Sequence, residues 1–425
     1  MQRIFSIAGT FPFLIAVFLN AFVDLGHKIV IQNTVFKMYD GTEQVILTAI
    51  VNGLILLPFI LLFSPVGFAS DRFAKTSVMR GAAWLAVALT CGITVCYMLG
   101  WFWVSFGMTF LLAVQSAFYS PAKYGYIKVF YGKERLAEVN GVVQAVSIVA
   151  ILLGTLMFSI LFELWFPSGA TAESQILQAI VPVGFVLVAC SLLEVWMIYR
   201  LPNPETPDAT LTFDTREYLS GRLLKANVAP IWRREVIRLS IIGLAVFWSI
   251  GQVMLAAFPA FAKAQTSETN TIIIQAIIAA SGLGIAIGSG VASRVSRNYI
   301  ETGLIPFGAL GIAIGLFVLP GLESLSLMAL CFFVIGLAGG LFIVPLNAMI
   351  QYHAEEGALG RTLSLSNYLQ NISMLFFLLL SILASILNIS DVFLLRVICA
   401  ISLFNALYFI CKIKQIRRFG CVGNN

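Results

Sequence analysis

The chain is 425 residues long, 60% hydrophobic and only 11% charged, with a formal net charge of +6 and a mean hydropathy of +0.95. Such a composition excludes a soluble globular domain and places the chain among polytopic membrane proteins, whose solvent is the bilayer. With His27 and His353 as its two histidines, no metal-ligand cluster, no phosphate-cradling glycine loop and no nucleophile beside an evident base, nothing supports an enzyme, a catalytic residue, a metal site or a cofactor.

A spanning helix takes about 20 mostly apolar residues. On that criterion the sequence predicts twelve, near 9–37, 44–69, 79–99, 102–121, 136–166, 175–199, 237–263, 270–293, 302–321, 324–350, 362–387 and 391–411. The expected fold class is an all-α polytopic membrane protein of twelve transmembrane helices. The first segment opens like a secretory signal, with Arg3 ahead of an apolar run. The run continues past the small-residue site, so an uncleaved span explains it better. The longest polar interval, 200–235, divides the chain. This predicts an N-terminal six-helix bundle (1–200), a cytoplasmic linker (201–235) and a C-terminal six-helix bundle with a basic cytoplasmic tail (236–425).

Orientation follows from lysine and arginine. With the N-terminus inside, only Lys28, Lys37, Lys263 and Arg396 of the 26 basic residues fall away from the cytoplasmic side, as the positive-inside rule requires. Both termini are therefore expected in the cytoplasm. The positive charge reflects topology and attraction to anionic membrane lipids, not nucleic-acid binding. The seven cysteines lie in spans or near the basic end and read as small packing residues.

The first span carries charge where a bilayer helix should not. In "VFLNAFVDLGHKIVIQN", residues 17–33, Asn20, Asp24 and Lys28 are spaced i, i+4, i+8 and share a helix face, with His27 beside them. Charged groups at membrane depth are costly and normally face the bundle interior or a wet cavity. One acid and one base on one face complement a ligand that carries both charges, with Lys28 and His27 toward its anionic group and Asp24 toward its cationic one. Two alternatives stay open: an Asp24–Lys28 ion pair that only locks helices, and proton coupling at Asp24 with His27 as titrating neighbour. Gly26, mid-span, predicts an irregular helix; its counterpart is Gly251, with Gln252 opposite His27.

Later spans extend the candidate cavity. The fourth supplies Gln115 and Tyr119, the fifth Asn140 and Gln144, the tenth Asn347, and the eleventh Asn367 and Asn371. Such amides also join helices by hydrogen bonds without touching substrate. Lys123, just past Pro121 near the cytoplasmic mouth, either meets phosphate or snorkels. Glu194, deep in the sixth span, reads as an interior partner or a gating group. After the second span, "GFASDRFAK" places Gly67, Asp71, Arg72 and Lys75 at the rim. Gly67 permits close helix approach there, and the charged residues can form a network at the cytoplasmic rim.

Three patches repeat. "VGFASDRFAK" at 66–75 aligns with "SGVASRVSRN" at 289–298, "AFYSPAKYGY" at 117–126 with "LFIVPLNAMI" at 341–350, and "RLAEVNGVVQAVS" from Arg135 with "RTLSLSNYLQNIS" from Arg361. A nearly constant offset means the second six helices repeat the first six in parallel, an arrangement known among transporters.

These features resemble the major facilitator superfamily. The loop after the second span matches that family's Gly-x-x-x-Asp-Arg-x-Gly-Arg pattern at Gly67, Asp71, Arg72 and Lys75, and departs from it at Ala74. A narrower resemblance runs through "NAFVDLGHK", "QSAFYSPAKYGYIK", "NGVVQAVSIVAILLGT" and "GGLFIVPLNAMIQ". It points to the bacterial lysophospholipid transporter family, particularly the membrane part of fused acyltransferase and acyl-carrier-protein synthetase polypeptides. The resemblance implies energy-independent flipping of lysophosphatidylethanolamine and lysophosphatidylglycerol from the outer to the inner leaflet of the bacterial inner membrane. There they are reacylated by an acyltransferase/acyl-ACP synthetase, on a separate chain or fused. It also implies a monomer. Two rival functions remain: a proton-coupled exporter of drugs or siderophores on the same fold, and a non-transporting membrane anchor for an acyltransferase.

Overall fold

The computed structural model describes residues 2–39, 41–167, 169–203, 210–213, 216, 218, 222–266, 271–297, 299–355, 357–387 and 389–420. Of the expected linker, residues 204–209, 214, 215, 217 and 219–221 lie outside the described residues. Among those described, every regular element is a helix, as hydrocarbon demands of a backbone that must satisfy its own hydrogen bonds.

The order is α1 (Gln2–Phe5), α2 (Thr10–Met38), α3 (Gly41–Leu61), α4 (Phe63–Arg72), α5 (Lys75–Leu99), α6 (Phe102–Tyr131), α7 (Leu136–Trp165), α8 (Glu173–Ala179) and α9 (Val181–Tyr199). It continues with α10 (Arg222–Arg233), α11 (Glu235–Thr266), α12 (Thr271–Val295), α13 (Leu304–Val318), α14 (Leu325–His353), α15 (Leu359–Ile386) and α16 (Asp391–Gly420). Eleven stretches among the described residues are long and apolar enough to span a bilayer, and a bent pair makes a twelfth. In that pair Ile46–Leu61 and Phe63–Arg72 meet at 56°, one turn past Pro58, whose ring removes a backbone donor and crowds the preceding turn. The repeat is visible in the elements: α6 and α14 begin at Phe102 and Leu325, α7 and α15 at Leu136 and Leu359, the same separation in both pairs.

The chain forms two compact units. The first comprises Met1–Tyr126, Ala150–Arg216 and Gly357–Ser364. In its interior α2 packs on α9, and α9 on α5. The predicted irregularity at Gly26 is absent, for α2 runs unbroken from Thr10 to Met38. Gly26 instead makes room for a ring: a Cβ there would lie 2.5 Å from Phe158 Cε2, and Phe158 is stacked at a tilt on Phe22, 4.9 Å between centroids. Lipid tails are as apolar as these side chains, so close fit rather than escape from water holds the helices together. At the end of α2, Tyr39 donates a hydrogen bond to Glu173 of α8. Burial and then that carboxylate push the Tyr39 phenol above its ordinary range.

The second unit comprises Ile127–Val149, Glu217–Glu356 and Leu365–Asn425. Its centre is the seam between α12 and α14. A Cβ on Gly336 would lie 1.9 Å from the Ser281 carbonyl oxygen, and one on Gly340 2.5 Å from that of Ile285. The two main chains therefore touch, and the glycines of "GLAGGLF" are packing residues. The first turns of α7 join this unit, with Ser293 Oγ donating to the Glu138 carbonyl at 2.7 Å.

Candidate functional site

Seven of the sequence-selected residues, Asn20, Asp24, His27, Lys28, Gln115, Tyr119 and Lys123, fall in the first unit. Helix α2 holds four of them on or beside one face, and α6 brings the other three against it. The contact is direct: Asn20 Nδ2 donates to Gln115 Oε1 at 3.3 Å, and Ser116 Oγ donates to Asp24 Oδ2. The other carboxylate oxygen, Asp24 Oδ1, is buried without a hydrogen-bond partner.

His27 has a different task from the one its neighbours suggest. It is fully buried, with Nδ1 2.9 Å from Tyr97 Oη and Nε2 3.0 Å from the Ser105 carbonyl oxygen. A carbonyl only accepts, so Nε2 carries the proton and Nδ1 accepts from the Tyr97 hydroxyl. Both nitrogens are thus spent on tying α2 to α5 and α6, and none is left for a headgroup phosphate or for relaying a proton.

The two lysines are placed otherwise. Among the described residues, no carboxylate lies within ion-pair distance of Lys28 or Lys123, so the structure contains no Asp24–Lys28 lock. Lys123 Nζ stands over the Tyr124 ring, 4.8 Å from its centroid, and within electrostatic reach of Asp24. Tyr119 is buried with its hydroxyl unpartnered, as is Gln115 Nε2. Unsatisfied buried polar atoms are uncommon and costly, and here several occur together around α2 and α6.

At the rim, the four motif residues also lie in the first unit. Asp71 accepts from the Gly360 amide at 2.6 Å, the Arg361 amide at 3.1 Å and Arg361 Nε at 3.0 Å. It caps the first turn of α15 from a distant helix, where a carboxylate is favoured by the free amides and the helix dipole. Gly67 allows this approach, since its Cβ would stand 3.0 Å from Arg361 Cα. Arg72 sits between the rings of Phe68 and Phe73, and Lys75 is buried with its stem against Gly125.

The remaining residues, Asn140, Gln144, Gln252, Asn347, Asn367 and Asn371, fall in the second unit. Asn140 exchanges amide hydrogen bonds with Gln351 and also donates to the Leu136 carbonyl at 2.7 Å. Asn371 Nδ2 is turned back to the Asn367 carbonyl, 2.8 Å away on its own helix. Gln144 is buried, while Gln252 and Asn347 are half-buried. Asn140 is therefore a helix-joining amide, the simpler of its two readings.

Reasoning on the sequence missed Ser116, Tyr97 and Ser105, the groups that hold Asp24 and His27. No spacing rule links them, because each reaches its partner from another span. Among the described residues no three His, Cys, Asp or Glu side chains gather as metal ligands.

Comparison with known proteins agrees with this architecture. A bacterial homologue of the iron transporter ferroportin, in an outward-facing state, superposes with a TM-score of 0.71 at 14% identity, covering 95% of this chain and 99% of that one. Among curated relatives, a protein named lysophospholipid transporter LplT from Salmonella heidelberg (strain SL476) is 28% identical over 398 residues, 90% of either chain. Its namesake from Serratia proteamaculans (strain 568) is 29% identical over 349 residues, 80% of this chain and 79% of that one. The family model of the Major Facilitator Superfamily matches residues 5–378, from the first span into the eleventh, and the chain is a transporter belonging to that superfamily.

Proposed function

We propose that this transporter moves lysophospholipids, chiefly lysophosphatidylethanolamine and lysophosphatidylglycerol, from the outer to the inner leaflet of a bacterial inner membrane by alternating access. The moving bodies are the six-helix bundles 1–200 and 236–425 of a monomer whose termini are both cytoplasmic. The delivered lipid is reacylated by an acyltransferase/acyl-ACP synthetase, on a separate chain or fused. The names of the relatives support this substrate class. The observation that carries it is the set of opposite charges left unneutralised at membrane depth: Asp24 with a free Oδ1, and Lys28 and Lys123 with no carboxylate partner among the described residues. A zwitterionic headgroup supplies the missing partners, phosphate to the lysines and ammonium to Asp24. His27 stays with Tyr97 and holds the site in shape.

The test is uptake of labelled lysophosphatidylethanolamine into spheroplasts making the wild-type chain, Asp24→Asn, Lys28→Gln or Lys123→Gln, with and without a protonophore. Wild-type uptake should survive the protonophore. Each variant should lose about tenfold or more, the worth of one charge-assisted contact. Equal uptake by wild type and Asp24→Asn, at matched levels of folded protein, would exclude the charge reading. Uptake of cationic drugs driven by a proton gradient would favour an exporter.

A further inference from the structure

Helix α9 carries a carboxylate that the site described above does not use. Glu194 is fully buried, and neither of its oxygens has a hydrogen-bond partner. It interacts electrostatically with Asp24, and the Asn20 side-chain amide approaches its carboxylate as the one polar group that favours the charged form; both residues are on α2. From α6, Tyr119 is within electrostatic reach of Glu194 and Asp24 alike, and its buried hydroxyl is unpartnered. Gln115 Nε2, equally buried, is unpartnered too. Three carboxylate oxygens and two neutral polar groups from three helices thus lie buried in one region, none with a hydrogen-bond partner. An unpaired carboxylate away from water is tolerated only if it is protonated or matched by a cation.

Among the described residues, the other helices packed on α9, namely α5 and α8, pair no cation with Glu194. Helix α5 places Thr90 beside Ser191, one turn from Glu194. Of its charged residues, Arg80 stacks on the Tyr199 ring and Lys75 lies against Gly125. Glu173 of α8 is taken up by Tyr39. The two nearby lysines are Lys28 on α2 itself and Lys123 on α6, and the carboxylate within electrostatic reach of Lys123 is Asp24.

We propose that Glu194, faced by Asp24 and Tyr119, forms a one-cation subsite that holds a proton when empty and gives it up when the ammonium of an amine-headed lysophospholipid enters. The charge balances: one proton leaves the Glu194 carboxyl for bulk water as one primary ammonium arrives, with its three N–H donors meeting the free oxygens of Asp24, Glu194 and Tyr119. The inference rests on the lysophospholipid reading and deepens it, because it separates two headgroups. Lysophosphatidylethanolamine brings an ammonium and displaces the proton. Lysophosphatidylglycerol brings only hydroxyls and leaves it in place.

The experiment uses the full chain in nanodiscs, with binding of each lysolipid followed by intrinsic tryptophan fluorescence and proton release by a dye in weakly buffered solution. Lysophosphatidylethanolamine should release about one proton per molecule bound, and its affinity should rise with pH, by up to about tenfold per unit, for as long as the empty subsite holds its proton. The headgroup amine, like that of lysine, stays charged at neutral pH. Lysophosphatidylglycerol should release none, with a flat profile. Glu194→Gln, which keeps the shape of the protonated side chain, should still bind lysophosphatidylglycerol while losing the proton release and pH slope with the amine lipid. Equal release with both lipids, no release with either, or a slope that survives Glu194→Gln would overturn the proposal. Proton release by sodium chloride but not choline chloride, with none on adding the amine lipid, would assign the subsite to an inorganic cation and overturn it as well. Failure of either lysolipid to bind the folded wild type would instead remove the lysophospholipid reading beneath it.

Discussion

Asn140 and Gln351 exchange two amide hydrogen bonds, at 3.0 and 2.8 Å, across 211 positions of sequence. Each amide gives its N–H to the other's oxygen, and both side chains are buried, so neither has water to fall back on. Asn140→Ala or Gln351→Ala should lower the thermal stability of the purified protein by about 1–3 kcal/mol, the cost of stranding a buried amide. Removing both should cost less than the two losses together, with a coupling of about 0.6 and at most about 1.7 kcal/mol. Strict additivity in the double-mutant cycle would show that the pair is not acting as a unit.

The Asp71 cap on α15 predicts a local effect with a local readout. Asp71→Ala should speed hydrogen exchange at the amides of Gly360 and Arg361 by about tenfold to a hundredfold, the loss of charge-assisted bonds to two backbone donors. Arg361→Gln keeps the backbone donors and should leave the Gly360 amide largely protected. Mass spectrometry of the peptide covering the start of α15 reads both, and unchanged exchange in Asp71→Ala would mean the contact contributes nothing to holding that turn.

For His27 the expectation separates folding from transport. His27→Phe and Tyr97→Phe should each destabilise the protein by about 1–3 kcal/mol, since the first leaves the Tyr97 hydroxyl stranded and the second leaves Nδ1 without its donor. Uptake per folded molecule should stay close to wild type in Tyr97→Phe. A loss of uptake there without loss of stability would return His27 to the substrate site.

Two glycines, each inside a long helix of the second unit, should respond oppositely to the same change. Gly336→Ala drives a methyl into the Ser281 carbonyl, which belongs to a main chain and cannot swing away; about 1–3 kcal/mol of stability or more should be lost. Gly251→Ala meets no atom within 4 Å and should match or slightly exceed wild type, since alanine is the better helix former. Melting curves of the two variants in one detergent make the comparison.

The spans were legible in the sequence because the length and polarity of hydrocarbon leave a helix few ways to be read, and eleven of the twelve expected segments each overlap one unbent span. The twelfth is the instructive one. The apolar run at 44–69 reads as one span, yet the chain bends by 56° between Leu61 and Phe63, because hydropathy registers how apolar Pro58 is and not the donor it lacks. The same blindness worked the other way at Pro121, where the predicted end of a span is passed and α6 runs on to Tyr131. At the site, the shared face of Asn20, Asp24 and Lys28 was a matter of helical period and could be counted. That His27 is bonded by Tyr97 and Ser105, or that Ser116 holds Asp24, depends on which helices lie side by side, and a single sequence does not contain that.

The seam between α12 and α14 has a mechanical consequence. Sliding needs a layer of side chains that can change rotamer, and where carbonyl oxygens of one helix lie against the bare Cα atoms of the other there is no such layer. Any shear along this contact must break main-chain packing at several turns at once, so the two helices travel as a single beam. The compliance that transport requires is left to the stretches where the hydrogen-bond ladder is already interrupted, at Pro58, Pro121, Pro259 and Pro345. The last of these lies within the beam itself, five residues beyond Gly340, which sets where its stiff part ends.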